Sequence, residues 1–248
     1  ITQEWSTNTP VGAWSTGGSL NTARQTLGGA GASSTAALAF GGGPPGVAIT
    51  ESYDGTSWTE VNNLNTGRAF LGGTGTQTAA LAFGGEGPPI STATEVWNGT
   101  NWATSPGTLN TARNLMAESG TSTSALAFGG EGPPNLAVTE SWNGTSWTEV
   151  NDLNTARRNF SGSGASNTEG LAIGGYITAN TASVESYNGT NWTEVGDINT
   201  ARRGTGASGT PLSTIVFGGY STAASALTED WNGASWAEVG DLTTARAG

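Results

Sequence analysis

The sequence predicts an all-β fold, a β-propeller of four-stranded antiparallel blades, and three recurring markers predict it. The Arg that closes an N/T-T-A/G-R element falls at Arg24, Arg68, Arg113, Arg157, Arg202 and Arg246, always 44 or 45 residues apart. A Trp keeps the same spacing at Trp14, Trp58, Trp102, Trp147, Trp192 and Trp236. A Gly pair preceded by an apolar run falls at Gly41-Gly42, Gly84-Gly85, Gly129-Gly130, Gly174-Gly175 and Gly218-Gly219. A repeat of this length that reads as four short strands is the pattern of a propeller blade.

The unit after Arg68 justifies each strand in turn. AFLGGTGTQT is a run of small residues, fit for an innermost strand where backbones converge on an axis and bulky side chains would collide. AALAFGG, from Ala79 to Gly85, is a short apolar strand ended by two glycines. A loop with Pro88 and Pro89 follows, and then TATEVW (92 to 97) alternates as a half-buried strand. Asn98-Gly99 predicts a two-residue type I′ hairpin turn, which needs positive φ at both central positions. The fourth strand starts near Trp102, and TLNTAR leads into the next unit. No segment carries a helical apolar stripe. The aromatics late in each unit, such as Trp142 and Trp147, are expected on outer strands, packed between neighbouring blades.

Full units span 25–68, 69–113, 114–157, 158–202 and 203–246, and residues 1–24 carry the second half of another, with Trp5, Trp14 and Arg24. In that partial unit STNTPVG replaces the short turn. Five blades are expected, with the partial unit left as an extra hairpin or an alternative outer strand. A ring of six needs two more strands after Gly248, where a next inner strand would begin.

Composition narrows the function. The 248 residues include 40 Gly, and the 35 % apolar share is low, yet ten Trp, six Phe and four Tyr argue for a packed protein rather than a low-complexity chain. Net charge is −11, and every one of the eight basic residues is Arg. Without clustered positive charge, neither nucleic acid nor an anionic membrane surface is an expected partner. There is no Cys and no His, which removes disulfides, thiolate chemistry, Cys/His zinc sites and His-based triads. No apolar run approaches the roughly 20 residues of a membrane-spanning helix. The chain begins at Ile1 without a basic n-region, so any leader lies outside this sequence.

At the Gly pair, the aromatic, the Trp and the Arg, the chain resembles the kelch family. The units LAFGG–YDGTSW–GR, LAFGG–WNGTNW–AR and LAIGG–YNGTNW–AR follow that family's order across essentially the whole chain. Trp97, Trp142 and Trp231 stand where the family has Tyr, and the aromatics are five residues apart. The resemblance implies a propeller and leaves function open, since kelch propellers serve as enzymes, adaptors and adhesins.

The candidate site residues divide into repeated and unrepeated ones. Glu51, Glu95, Glu140, Glu185 and Glu229 recur with Arg68, Arg113, Arg157 and Arg202, which points to one structural ion pair per blade, together with a structural role for Trp58, Trp102, Trp147, Trp192 and Trp236. Asp152, Asp197 and Asp241 also repeat, so the convergent acid pair that glycoside hydrolysis needs is not expected. The DGTSW and NGTSW segments resemble the Asp-box of sialidase propellers only faintly, because here Asp and Gly are adjacent. A galactose-oxidase-like copper site fails for want of His and Cys. The sequons at Asn98, Asn143, Asn188 and Asn191, with Asn159, offer glycan acceptors, but turn chemistry already explains the Asn-Gly-Thr copies.

What does not repeat is the loop after each Gly pair. It reads GPPGVA, EGPPIS, EGPPNL, YITANTAS and YSTAASA, and is expected to share one face with the Arg-bearing connector. Glu86, Pro88, Pro89, Glu131, Pro133, Pro134, Tyr176 and Tyr220 are therefore the candidate contacts for a carbohydrate or protein surface. The expectation is a non-enzymatic recognition or structural propeller, with no cofactor and no metal. It is placed on a cell surface or a virion, alone, as a homo-oligomer or within a larger assembly, binding surface glycans or protein. The alternatives are a purely architectural or designed propeller and, more remotely, a polysaccharide hydrolase or lyase.

Overall fold

The computed structural model describes residues 3–6, 13–87 and 89–247. A first hairpin pairs β1 (Gln3–Ser6) with β2 (Ala13–Thr16). Blade one follows as β3 (Gly28–Ser33), β4 (Ala36–Phe40), β5 (Thr50–Tyr53) and β6 (Trp58–Val61). Blade two is β7 (Gly72–Thr76), β8 (Ala79–Phe83), β9 (Thr94–Trp97) and β10 (Trp102–Thr104). Blade three is β11 (Ala117–Thr121), β12 (Ser124–Phe128), β13 (Thr139–Trp142) and β14 (Trp147–Val150). Blade four is β15 (Ser161–Ser166), β16 (Glu169–Ile173), β17 (Val184–Tyr187) and β18 (Trp192–Val195). Blade five is β19 (Gly206–Thr210), β20 (Ser213–Phe217), β21 (Thr228–Trp231) and β22 (Trp236–Glu238). Each blade is an antiparallel meander in chain order, and no helix occurs among the described residues. The fold is the five-bladed all-β propeller that the repeat predicts.

The first strands of successive blades lie side by side around the axis, and their small residues are what lets them. A Cβ on Gly73 would meet Phe40 at 2.6 Å and the Gly29 amide at 2.8 Å, and one on Gly162 would lie 2.2 Å from the Glu118 carbonyl. Those separations are inside van der Waals contact, so any side chain there would push two blades apart. A line of backbone bonds ties these strands together: the amides of Phe70, Leu115, Asn159 and Gly204 donate to the carbonyls of Thr26, Phe70, Leu115 and Asn159, each reaching the preceding blade.

Further out, the core consists of layers between blades rather than a single centre. One layer joins Leu38, Phe40 and Leu64 of blade one to Leu71, Ala80, Ala82 and Trp102 of blade two, and the next joins Leu81, Phe83 and Leu109 to Ala125, Ala127 and Trp147. Alternation explains this, because each strand sends successive side chains to opposite faces and each face meets a different blade. The repeated Trp is the joint. Trp102, Trp147 and Trp192 donate from Nε1 to the buried hydroxyls of Thr50, Thr94 and Thr139 one blade back, at 3.0, 3.0 and 3.1 Å. Their rings sit 4.8 Å from Phe40, Phe83 and Phe128. In blade four Val184 replaces the Thr, and Trp236 donates instead to the Gly196 carbonyl at 2.8 Å.

The N-terminal hairpin follows the same rules from a sixth position. Trp14 bonds Thr228 Oγ1 at 3.1 Å and stands edge-on to Phe217 at 4.7 Å, so it meets blade five as Trp102 meets blade one. On its other side Trp58 donates to the Gly18 carbonyl as Trp236 does to Gly196, and Arg24 pairs with Glu51. Gln3 takes the place of the repeated Glu and bonds Thr243, which takes the place of the repeated connector Asn. The extra hairpin is thus the outer half of a blade, wedged between blades five and one.

One local expectation fails. The predicted type I′ turn is a four-residue loop, and in Asn98–Asn101 only Gly99 has positive φ, at 91°. The Asn98 side chain does the work instead, its Oδ1 accepting the amides of Thr100 and Asn101 at 2.9 Å each. Asp54, Asn143, Asn188 and Asn232 accept two amides in the same way, so the loops close through a side-chain acceptor rather than through paired left-handed residues.

Candidate functional site

The repeated charges fall together as the sequence leads one to expect. Arg68 with Glu95, Arg113 with Glu140, Arg157 with Glu185 and Arg202 with Glu229 are ion pairs at 2.9, 2.5, 3.0 and 2.6 Å, all buried. Each Glu also receives the backbone amide of the connector Asn, as Asn110 donates to Glu140 Oε2 at 2.7 Å. Burial lowers the pKa of the Arg68, Arg113 and Arg157 guanidinium groups, and their Glu partners pull the other way. At Glu51, burial raises the carboxyl pKa, but hydrogen bonds from Arg24 and Asn21 outweigh it and hold the group below its usual range. These pairs are closed to solvent, with the buried Nε of Arg68, Arg113 and Arg157 left without a hydrogen-bond partner, and they seat each connector on the next blade. Asp152 and Asp241 are equally structural, accepting the amides of Thr139 and Thr228 at 3.0 Å.

The unrepeated loops do share a face with the Arg connectors. Short bridges pair Ala69 with Glu86, Asn114 with Glu131, Arg158 with Tyr176 and Arg203 with Tyr220. Across blades three to five these residues form one continuous ladder. Glu131 is ion-paired with Arg158, whose guanidinium lies 5.3 Å from the Tyr176 ring centre. Arg203 lies between two rings, 5.0 Å from Tyr176 and 4.9 Å from Tyr220. Asn135 and Asn180 fix the spacing, donating to the Tyr176 and Tyr220 carbonyls at 3.2 and 2.9 Å. Tyr220 is exposed, and the Glu131–Arg158 pair is about one-third exposed.

Glu131, Tyr176 and Tyr220 are therefore brought together. Exposed Glu86 sits apart over blade two, where Ala69 stands at the ladder's Arg position. Pro89, Pro133 and Pro134 are exposed beside the face, and Pro88 lies outside the described residues. Arg158 and Arg203 are the members that the sequence analysis missed. Their signal was the doubling of the repeat Arg at Arg157-Arg158 and Arg202-Arg203, which no other unit shows.

A second unrepeated feature lies on the axis. The inner strands line an open axial cavity of about 740 Å³, bordered mainly by Gly, Ser and Thr. Glu118 projects into it from a position that is Gly29, Gly73, Gly162 and Ala207 in the other units. It is the only acid among the lining residues. Desolvation pushes its carboxyl up to about 8, although the Gly73 amide donates to it. A neutral carboxylic acid can both donate and accept a hydrogen bond there.

A scan against protein-family models matches none, and a search of curated proteins finds no match.

Proposed function

We propose that this chain is a non-enzymatic, kelch-like recognition propeller that presents the Arg158–Tyr176–Arg203–Tyr220 ladder to a carbohydrate or protein surface. One observation carries the reading. Where the rest of the molecule repeats, this stretch of a single face collects unrepeated aromatic and Arg side chains on stiff, cross-bonded loops. Tyr rings offer apolar faces to sugar C–H groups or to apolar side chains, and Arg supplies donors beside them. Aromatic and Arg residues held rigidly are also the residue types that carry most binding energy at protein interfaces.

The setting proposed for it is extracellular, as a cell-surface or virion appendage such as a phage tail or capsid component that meets a host surface. Near-identical Gly-, Ser-, Thr- and Asn-rich units without Lys, His or Cys support that setting. Glycan-array and host-cell binding by the intact chain test it. Binding that Tyr220→Ala and Arg203→Ala both weaken supports the reading, and binding that neither variant alters refutes it for this face.

A purely architectural role is the second reading, and a specific observation favours it. Each ladder residue already has a partner within the chain, as Arg203 also bonds Asn180 at 3.3 Å. Silence on glycans and host cells alike, with the chain recovered in purified particles, would select it.

A further inference from the structure

The hairpin β1–β2 supplies only the outer half of its blade, and the surfaces around it are built for an inner half. Among the described residues β1 pairs with β2 alone, whereas the third strand of every other blade pairs on both edges. Its register matches those blades, with Trp5 opposite Trp14 as Trp142 is opposite Trp147. β1 therefore presents one free strand edge at the place where β12 pairs with β13.

Both walls of this cleft are altered in the direction that an inner half-blade would correct. On blade five, Ile215 and Phe217 are only half-buried, while their counterparts Leu126, Phe128, Leu171 and Ile173 are 0 % exposed. Ser208 is exposed, while its counterparts Ser119 and Ser163 are buried and bond the next blade, at the Glu169 carbonyl (3.2 Å) and the Thr214 hydroxyl (2.8 Å). On blade one, Ala37 is half-buried where Ala80 and Ala125 are fully buried. The axial line of backbone bonds also stops here. The Thr26 amide and the Gly204 carbonyl are its two ends, and no bond joins them across the cleft.

From these features we infer that the cleft between blades five and one takes up a β-hairpin of this repeat's own inner-strand type, and that it does so when the hairpin is supplied in trans as a separate peptide. Its second strand adds to the free edge of β1 by main-chain hydrogen bonding, the mode of strand augmentation. Its first strand fills the axial place between β19 and β3, accepting from the Thr26 amide and donating to the Gly204 carbonyl. Small residues are required in that first strand for the reason that Gly73 and Gly162 are required in theirs. An apolar second strand covers Ile215 and Phe217. An intact second copy is a poor occupant, because the inner strand pairs of blades two to four are each enclosed between neighbouring blades.

A synthetic peptide with the sequence of residues 69–85, AFLGGTGTQTAALAFGG, is the probe, with a scrambled peptide as control. The expected result is saturable one-to-one binding, with slowed amide exchange in β1 and at Thr26. Ile215→Asp and Ala37→Glu, one on each wall, should each weaken binding at least tenfold. Unchanged far-ultraviolet circular dichroism shows that both remain folded, which their present exposure permits. Absence of saturable binding at millimolar peptide, equal binding of the scrambled control, or indifference to both substitutions overturns the inference. So does concentration-dependent dimerisation of the chain alone that protects β1, since a second copy would then be the occupant.

Discussion

Trp14 Nε1 donates to Thr228 Oγ1 at 3.1 Å, a bond that spans 214 residues of sequence and joins the first hairpin to the last blade. With the Trp14–Phe217 edge contact, it holds the ends of the ring together. Trp14→Ala is expected to lower stability by about 2–3 kcal/mol, less than a fully buried Trp because the ring is half-exposed. Trp14→Phe keeps the contact with Phe217 and loses the hydrogen bond to Thr228, for a cost of about 1 kcal/mol. Denaturant unfolding of the two variants measures both terms, and equal losses would show that the ring contact contributes nothing.

The buried pair Arg157–Glu185 predicts a different pattern. Removing one partner strands a charge in the interior, so Arg157→Ala and Glu185→Ala should each cost about 3–5 kcal/mol. Replacing both by apolar residues of similar volume should cost less than the sum of the single changes, with a coupling energy of a kcal/mol or more. A double-mutant cycle by equilibrium unfolding checks it, and strict additivity would contradict the pairing.

Glu118 predicts how stability varies with pH. Its folded pKa of about 8 lies above the ordinary carboxyl value of 4.5, so between those values the folded state holds a proton that the unfolded state has released. Stability is therefore undiminished below about pH 4.5 and falls as pH rises towards 8. Glu118→Gln should remove that fall and stabilise the chain at pH 8 by on the order of 1–3 kcal/mol, a discounted range because the carboxyl borders an accessible cavity. Unfolding curves at pH 5 and pH 8 for both chains test the sign. A wild-type chain more stable at pH 8 relative to the variant would reverse it.

Tyr220→Ala separates binding from folding. The ring is 38 % exposed and its main contact is Arg203, so stability should change by less than about 1 kcal/mol. Binding to any glycan or host surface that the wild-type chain recognises should fall at least tenfold. Thermal unfolding together with the binding assay distinguishes this from a general loss of structure.

Much of the molecule was legible in the sequence because a repeat reports the same local choice five times. The strand order, the Gly-rich axis, the Trp joints and the Glu–Arg pairs all follow from side-chain periodicity and from residue types that recur with the fold. The two-residue turn does not follow from Asn-Gly alone, because that pair suits both a left-handed turn and a side-chain-capped loop. Only the positions of the flanking aromatics decide between those two. Among site residues, the variable loops were visible as departures from the repeat, and so Tyr176 and Tyr220 could be named. Arg158 and Arg203 sit beside repeat Arg residues and were masked by them.

The blade is written in the sequence: its four strands, their alternation, and the identity of the residues that meet the next blade. Tertiary structure alone decided how the ring ends meet, which places the first hairpin beside Phe217 rather than elsewhere. It alone brought Glu131, Arg158, Tyr176, Arg203 and Tyr220 into one line and left Glu118 facing the axis. The physical reason is range. Periodicity reports what one strand shows its immediate neighbours, whereas these relationships join residues from different units, whose spacing is set by the packing angle of whole blades.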